Sequence, residues 1–167
     1  MLTKTNLFEL LSIKNKDFQI HDHDPLFTVE DSENLRGEIK GAHTKNLFLK
    51  NKKNNFFLFS CLENTNIDLK KLNKKLSLGN ISFAKEKYLE EMLNVRPGAV
   101  TPYGLLNDTE NKIKFFLDNK ILSFEYVNFH PLDNRFTISI LTTDFVNFFK
   151  KNSIFANIVD FDNYMII

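Results

Sequence analysis

The sequence predicts one α+β domain built on a mixed β-sheet with flanking helices. Segments of strand-like alternation and of helical spacing are interspersed without a repeating strand–helix–strand unit, which disfavours a parallel α/β fold. The 167 residues are enough for one domain with a sizeable core, and 43% hydrophobic with 26% charged residues is typical of a globular protein. The sequence contains no internal repeat or linker-like stretch, so we expect a single domain over residues 1–167.

The first elements follow from local spacing. Leu7, Leu10 and Leu11 recur at helical spacing after Thr3 or Thr5, either of which can cap a helix. Two further segments are predicted before residue 40: an extended one over residues 18–29, broken near Pro25, and a surface helix or turn from Glu30 to Glu38.

The middle of the chain predicts a pair of strands and two helices. Strands at roughly 46–51 and 55–61 are separated by the turn-like Lys52-Lys53-Asn54. A lysine-rich helix is expected from Ile67 to Leu76, and a second helix over residues 83–93.

The last third of the chain predicts further strands and one helix. Phe145, Phe148 and Phe149 share one helical face, and the pair Lys150-Lys151 suits the C-terminal end of that helix. The expected elements, in order, are a hairpin of 113–117 and 121–124 across 118–120, a strand at 136–140, a helix capped by Thr142 or Thr143, and a strand near 157–161.

Composition narrows the class of protein. Eighteen phenylalanines and no tryptophan predict a phenylalanine-rich core. The single cysteine, Cys61, rules out an intramolecular disulfide framework, and its apolar surroundings indicate a buried, inert thiol. No apolar stretch is long enough to span a membrane, and Glu9 interrupts the first apolar segment, so we expect a cytoplasmic protein with no signal peptide.

Charge is distributed unevenly although the formal net charge is only +1. Residues 45–87 contain ten lysines against three acidic residues, while the preceding segment is acidic. Such an asymmetry suits a phosphate-bearing ligand on one face, and the alternative is an ordinary solvated, lysine-rich surface.

Metal, cofactor and covalent chemistry have little support. His21 and His23 would share one face of a strand, but a zinc site needs three or four protein ligands, so we expect no metal. The sequence has neither a dinucleotide-binding GxGxxG pattern nor a P-loop, so we expect no cofactor, and it has no GxSxG nucleophile elbow. If the protein is an enzyme, it would therefore activate water or use chemical groups of its own substrate.

Polar residues lie where an apolar strand is predicted to begin, in GAHTKNLFLK, residues 41–50. Lys45 could pair with a phosphate or stabilise developing negative charge, and Thr44 and Asn46 could orient a ligand. The alternative is a surface lysine that precedes a strand.

Two later motifs have similar alternatives. The loop 96–104 contains two glycines and two prolines, which allow a backbone to approach a ligand closely or simply make a connection. His130 precedes Pro131, which favours an extended backbone, and a lone histidine there can be catalytic or structural.

Together the stretches GAHTKNLFLK, RPGAVTPYGLLND and FHPLDN resemble the bacterial freestanding prolyl-tRNA editing proteins of the YbaK/prolyl-tRNA synthetase-associated domain family. The resemblance extends from about Pro25 to the C-terminus and implies that family's fold, with a partly barrel-like sheet. It implies an aminoacyl-tRNA deacylase whose first expected substrate is alanyl-tRNA(Pro).

The resemblance also implies roles for particular residues. Lys45 matches the lysine thought to hold the tRNA end near its terminal adenosine, and the loop around Gly98 would position the aminoacyl group through its backbone. His130 matches a pocket histidine, and the ribose hydroxyl of the substrate is thought to help activate water. The substrate contacts expected beside these three residues are Thr44, Asn46, Ala99, Thr101 and Pro102.

Physical reasoning is consistent with such a protein. A proline site cannot strongly reject alanine, because a missing methylene is worth only about 1–3 kcal/mol, whereas a second pocket can exclude proline by size. We expect Phe27, Val29 and Leu47 to form the pocket wall. Lys50, Lys52 and Lys53 are expected to reach the acceptor stem of tRNA(Pro).

The predicted partners are the tRNA(Pro) acceptor end and prolyl-tRNA synthetase, for a monomer that does not bind membranes. Three alternatives stay open: a deacylase for another small amino acid such as cysteine or serine, a noncatalytic tRNA-binding or synthetase-associated module, and a hydrolase of a small free ester.

Overall fold

The computed structural model describes residues 1–14, 17–33 and 39–167. Its principal helices are α1 (Lys4–Lys14), α2 (Val29–Glu33), α3 (Leu69–Leu76), α4 (Glu86–Tyr88, continued as a π-helix over Leu89–Leu93) and α5 (Thr142–Lys151). The strands are β1 (Gln19–Asp22), β2 (Ala42–Lys50), β3 (Phe56–Leu62), β4 (Ser82–Phe83), β5 (Ile113–Asp118), β6 (Tyr126–Phe129), β7 (Phe136–Leu141), β8 (Ala156–Asp160) and β9 (Met165–Ile166). None of the described helices is long and apolar enough to cross a membrane.

The strands form one mixed sheet in the order β1-β7-β6-β2-β3-β5-β8-β9, with β4 paired to the end of β2. The pairs β2–β6, β3–β5 and β5–β8 are parallel, and the other pairs are antiparallel. Helices flank this sheet, so the predicted α+β class with a mixed sheet is confirmed.

Two apolar layers lie on opposite faces of the sheet, because successive strand residues point to opposite sides. In β3, Phe57, Phe59 and Cys61 enter one layer, which Leu72 of α3 joins; we call it the α3 layer. The other, which we call the α5 layer, takes Phe56 and Leu58 from β3. It also receives the buried side chains of α1 and α5: Leu7, Leu11, Phe145, Phe148 and Phe149.

Aromatic rings fill much of both layers, as the composition predicts. Phe59 and Phe116 stack at 4.4 Å between ring centroids in the α3 layer. In the α5 layer Phe129 stacks on Phe145 at 4.7 Å, and the buried ring of Tyr103 contacts Phe149.

Several predicted elements are present where local signals were strong. In α1 the Thr3 hydroxyl accepts a hydrogen bond from the Asn6 N–H at 3.3 Å. In α3 the Asp68 carboxylate caps the N-terminus by accepting from the backbone N–H groups of Lys70 and Lys71. Strands β3, β7 and β8 lie within one residue of their predicted bounds.

The hairpin predicted at 113–124 is wrong. β5 pairs in parallel with β3 and β8 instead of with the segment that follows it. Residues Asn119–Ser123 form a 3₁₀ helix, because the Asp118 carboxylate accepts a hydrogen bond from the Lys120 N–H at 3.0 Å and caps it. β7 pairs with β1 on one side and on the other with β6, a strand that was not predicted.

Other boundaries also differ from the predictions. β2 begins at Ala42 instead of residue 46, so the polar residues 43–46 lie within the strand. The helix predicted from residue 83 begins at Glu86, because Ser82–Phe83 pairs with β2 as β4. Of the predicted 30–38 segment, α2 ends at Glu33 and residues 34–38 lie outside the described residues.

The start of α5 differs in its capping. Leu141 occupies the N-cap position and makes no side-chain capping hydrogen bond. The Thr142 hydroxyl donates instead to the Phe124 carbonyl at 2.6 Å, which ties the helix to the chain that enters β6. The predicted threonine cap is therefore wrong.

Candidate functional site

A cavity of about 290 Å³ opens where β2 parts from β6. The parallel pairing of these strands ends at His43 and Asn128, beyond which β2 continues beside β3 and pairs with β4 only at its far end. Diverging strands leave room for a ligand between them, as at the switch points of open sheets. The lining residues are Leu26, Phe27, Thr28, Val29, Ile39, His43, Thr44, Lys45, Asn46, Glu63, Gly98, Val100, Asn128, Phe129, His130 and Thr137.

The Lys45 side chain belongs to the same face of the sheet as the α3 layer. It lies directly opposite Cys61 in the β2–β3 pair, and its alternate neighbour Leu49 is buried in that layer. Its ammonium donates a hydrogen bond to the backbone carbonyl of Thr65, in the loop that follows β3. The charge is therefore held at the cavity by a neutral acceptor.

Asp118 supports the loop that holds this ammonium. Its carboxylate is buried and accepts from the Leu62 N–H at 3.3 Å and from the Thr65 hydroxyl at 3.5 Å. Because Thr65 contacts Lys45, Asp118 acts on the position of Lys45 through one intervening residue.

Thr44 and Asn46 use their polar groups to build the wall. The Thr44 hydroxyl donates to the Asn128 carbonyl at 2.7 Å and so bridges β2 to β6. The Asn46 amide donates to the Val100 carbonyl at 3.0 Å, and its oxygen accepts from the Ser60 hydroxyl at 2.6 Å. The polar stretch on β2 is thereby joined directly to the 96–104 loop.

Gly98 occupies a turn that favours glycine. Its φ is +86°, and a Cβ there would lie 2.9 Å from the Phe27 ring and 3.1 Å from the Asn134 amide nitrogen. Phe27 lines the cavity but is 68% exposed, so it lies at the mouth instead of forming a buried wall. The Asp31 carboxylate accepts the backbone N–H groups of Phe27 and Thr28, and these bonds lower the pKa of Asp31.

The other predicted loop and wall residues are divided between the cavity and the core. Val29 lines the cavity, whereas Leu47 is packed against the α3 layer. Ala99, Thr101 and Pro102 are buried outside the cavity lining. The Thr101 hydroxyl caps the 3₁₀ helix Pro102–Asn107 by accepting from the Tyr103 N–H, and Val100 lines the cavity in place of its neighbours.

His130 is held in a defined tautomer. Its Nδ1 lies 2.8 Å from the Phe136 carbonyl, which can only accept, so Nδ1 carries the proton. Burial, and secondarily the neighbouring His23, lowers the pKa of His130. The neutral ring therefore presents Nε2 as an acceptor. His23 lies behind it at 6.1 Å between ring centroids and contacts the Thr137 hydroxyl through Nε2.

Glu63 and Asn128 are two polar lining residues that the sequence did not predict. Glu63 directly follows β3, is 6% exposed, and donates its backbone N–H to the His43 carbonyl. Asn128 on β6 donates its amide to the carbonyls of Lys40 and Ala42, while its buried side-chain oxygen has no partner in the described ranges. The sequence carried a signal for Glu63, which is an acidic residue directly after the apolar run of β3. It carried none for Asn128, because β6 was not predicted.

Lys50, Lys52 and Lys53 are not brought to the cavity. Lys50 ends β2, five residues from Lys45, which is about 16 Å along a strand. Its ammonium lies 5.6 Å from the centre of the Tyr88 ring. Lys52 and Lys53 are exposed in the turn beyond it.

The single cysteine lies in the core, as its apolar surroundings predict. Cys61 is fully buried, and this burial raises the pKa of its thiol to about 12, as an inert core residue requires. No cluster of three or more candidate metal ligands occurs within residues 1–14, 17–33 and 39–167.

Comparison with known proteins places this geometry in a family. Residues 23–148 match the family model described as "Aminoacyl-tRNA editing domain". The chain is 38% identical to mouse prolyl-tRNA synthetase associated domain-containing protein 1, over 86% of this chain and 88% of the relative. It is 32% identical to the prolyl-tRNA editing protein ProX of Acetoanaerobium sticklandii, over 81% of this chain and 84% of the relative.

The fold also matches a solved structure. A protein proposed to be a trans-editing enzyme for prolyl tRNA synthetase superimposes with a TM-score of 0.70 at 16% identity, covering 96% of this chain and 98% of that chain. The match to the family model covers more than half of the chain, and the alignments with the two relatives cover more than two thirds of it. The chain therefore belongs to the aminoacyl-tRNA editing domain family.

Proposed function

We propose that the protein is a trans-editing deacylase that hydrolyses the ester bond of mischarged tRNA(Pro), with Ala-tRNA(Pro) as its principal substrate. The observation that carries the proposal is the convergence of Lys45, the Gly98 turn and His130 on one cavity in a domain of this family. The name of the relative ProX supports the prolyl-tRNA assignment.

The charges around the cavity suit an aminoacyl ester on the end of an RNA. Lys45 offers a cation for a phosphate or for the carbonyl oxygen as it becomes negative. The α-ammonium of the amino acid would find an acceptor in the Asn128 side-chain oxygen, which has no hydrogen-bond partner among the described residues, and the Glu63 carboxylate adds a negative charge to the same lining.

Hydrolysis needs water to add to the ester carbonyl carbon and the ribose oxygen to leave. The new C–O bond forms a tetrahedral intermediate whose negative oxygen is stabilised by the Lys45 ammonium. Collapse breaks the bond to the ribose oxygen, which takes the proton that the water gives up. His130 Nε2, or the neighbouring ribose hydroxyl, relays that proton, because a neutral imidazole with a donated Nδ1–H can only accept at Nε2.

Size supports selection for a small amino acid. A volume of about 290 Å³ lies at the low end of the range of ligand pockets, about 300–1,000 Å³. Thr44 and Asn46 brace the wall through hydrogen bonds to Asn128 and Val100, so enlarging the cavity would break these part-buried hydrogen bonds.

The test is deacylation of Ala-tRNA(Pro), Pro-tRNA(Pro), Cys-tRNA(Pro) and Ala-tRNA(Ala) by the wild type and by Lys45→Ala. We expect selective loss of alanine from tRNA(Pro), and a fall in kcat of at least about a hundredfold in the variant, comparable with removal of one oxyanion donor. Lys114→Ala, an exposed lysine on β5, is the matched control and should retain wild-type rates. Binding of these tRNAs without hydrolysis would instead favour a noncatalytic synthetase-associated module, and the mouse relative's name states only a prolyl-tRNA synthetase associated domain.

A further inference from the structure

Helix α3 presents a row of lysines to solvent. Leu72 is fully buried against the sheet, whereas Lys70, Lys71, Lys74 and Lys75 are all exposed. Residues at i, i+1, i+4 and i+5 lie on one side of a helix, so these four ammonium groups share a face. We call them the α3 lysine face. Leu69–Leu76 contains no acidic residue to balance it.

This arrangement is unfavourable for the helix itself. Lys70 and Lys74, and likewise Lys71 and Lys75, are like-charge pairs at i,i+4 spacing, which destabilise a helix. Lys70 and Lys71 also lie in the first turn, where the helix dipole disfavours cations. Only Lys74 and Lys75 gain from the C-terminal end of that dipole.

Two exposed lysines elsewhere on the surface are neutralised by an acidic neighbour, but those of α3 are not. Lys112 pairs with Glu110 at 2.6 Å, and Lys120 pairs with Asp162 at 2.8 Å. For the α3 lysine face no ion pair occurs with any residue in the described part of the chain. Four uncompensated cations on one face are suited to an anionic polymer.

The α3 lysine face is connected to the cavity. The Lys45 side chain belongs to the same face of the sheet as α3, and its ammonium is held by Thr65, three residues before the Asp68 cap of the helix. At its other end the chain after α3 returns to the far end of β2, where the Asn51 amide donates to the Leu78 carbonyl. The α3 lysine face therefore extends from the cavity side of the sheet toward the turn that contains Lys52 and Lys53.

We propose that the α3 lysine face binds the acceptor-stem phosphates of the tRNA whose 3′ end enters the cavity. The inference rests on the proposed function and adds the surface that distinguishes a whole tRNA from its terminal ester. It places the primary RNA contact on α3, with Lys52 and Lys53 beyond it.

The test uses two charge-reversal variants, Lys70→Glu/Lys71→Glu and Lys74→Glu/Lys75→Glu. Lys150→Glu/Lys151→Glu is the matched control, because it reverses the same charge on exposed lysines of α5, which packs on the opposite face of the sheet. For each protein we would measure the Kd for uncharged tRNA(Pro) over a series of salt concentrations. Deacylation of Ala-tRNA(Pro) would be compared with deacylation of a CCA trinucleotide that carries the same alanyl ester.

Each α3 variant should raise the Kd for tRNA at least about tenfold, and the slope of log K against log salt should fall by about 0.7–0.9 for each phosphate that the variant no longer neutralises. The kcat/KM for Ala-tRNA(Pro) should fall in parallel, while hydrolysis of the trinucleotide ester and both activities of the α5 control stay at wild-type values. The proposal is overturned if the α3 variants bind tRNA as the α5 control does, which would leave the surface for an acidic protein segment. It is also overturned if trinucleotide hydrolysis falls equally. If the wild type hydrolyses neither ester, the proposed deacylase function fails, and the salt series on uncharged tRNA still decides the role of α3.

Discussion

Replacing Gly98 with alanine tests whether the 96–104 loop positions the substrate. At a φ of +86° an alanine is strained by about 1–2 kcal/mol, and its Cβ would lie 2.9 Å from the Phe27 ring. The exposed ring can swing away, so most of the cost stays in the backbone. We expect the free energy of unfolding to fall by about 1–2 kcal/mol, which lowers Tm by about 2–8 °C in a chain of this length. We also expect kcat/KM to fall tenfold to a hundredfold, because displacing a positioning group by about 1 Å costs that much.

Gly79→Ala is the matched control for this experiment. Its φ is +81° and its Cβ would lie 3.1 Å from the Asn51 amide, so the backbone strain is similar, but Gly79 is not among the cavity-lining residues. Thermal unfolding should show a comparable Tm loss for both variants, while Ala-tRNA(Pro) deacylation should fall only for Gly98→Ala. A second variant, Phe27→Ala, separates the contact with the ring from the backbone strain. In that background Gly98→Ala should lower the free energy of unfolding by less, and the difference is the part caused by contact with the Phe27 ring. If both glycine variants lose equal stability and both keep wild-type kcat/KM, the Gly98 turn does not position the substrate.

Two further predictions concern groups behind the cavity wall. Asp118→Asn leaves one oxygen for the donors of Leu62, Thr65 and Lys120, so we expect a loss of about 1–3 kcal/mol in urea unfolding together with a lower kcat/KM, because Thr65 no longer fixes Lys45. In a Lys45→Ala background the same change should cost stability and no further activity; an additional rate loss there would contradict the positioning role. Burial lowers the pKa of His130. We therefore expect kcat/KM to stay constant from pH 8 through pH 6.5, the ordinary histidine pKa, and to fall only at more acidic pH, because the neutral ring must accept a proton. The free energy of unfolding should change in the same direction. As pH falls below 6.5 the unfolded chain binds the proton before the folded chain does, so the stability that His130 contributes is fully present above pH 6.5 and is lost below it. A His130→Asn variant should lack this dependence when unfolding is measured at a series of pH values.

Local sequence determined the elements whose periodicity or caps are strong. The leucines of α1 and the phenylalanines of α5 each bury one helix face, and the continuous apolar run of β3 is buried on both faces of the sheet, so the type of each element can be inferred without knowing its partner. The motifs around Lys45, Gly98 and His130 were also recognisable from sequence, and the fold brings all three to one cavity.

Only the tertiary structure decided which strands pair and which polar groups reach the cavity. The apolar run of β5 suits a hairpin or a parallel strand equally well, and long-range pairing with β3 and β8 selects the latter while Asp118 caps the turn that follows. The same pairing makes Asp118 a support for Thr65. The ends of β3 and β6 place Glu63 and Asn128 in the cavity wall. The pairing of β2 with β3 places the Lys45 side chain on the face of the sheet that α3 covers. These features depend on contacts between residues far apart in the chain, whose register no local pattern encodes.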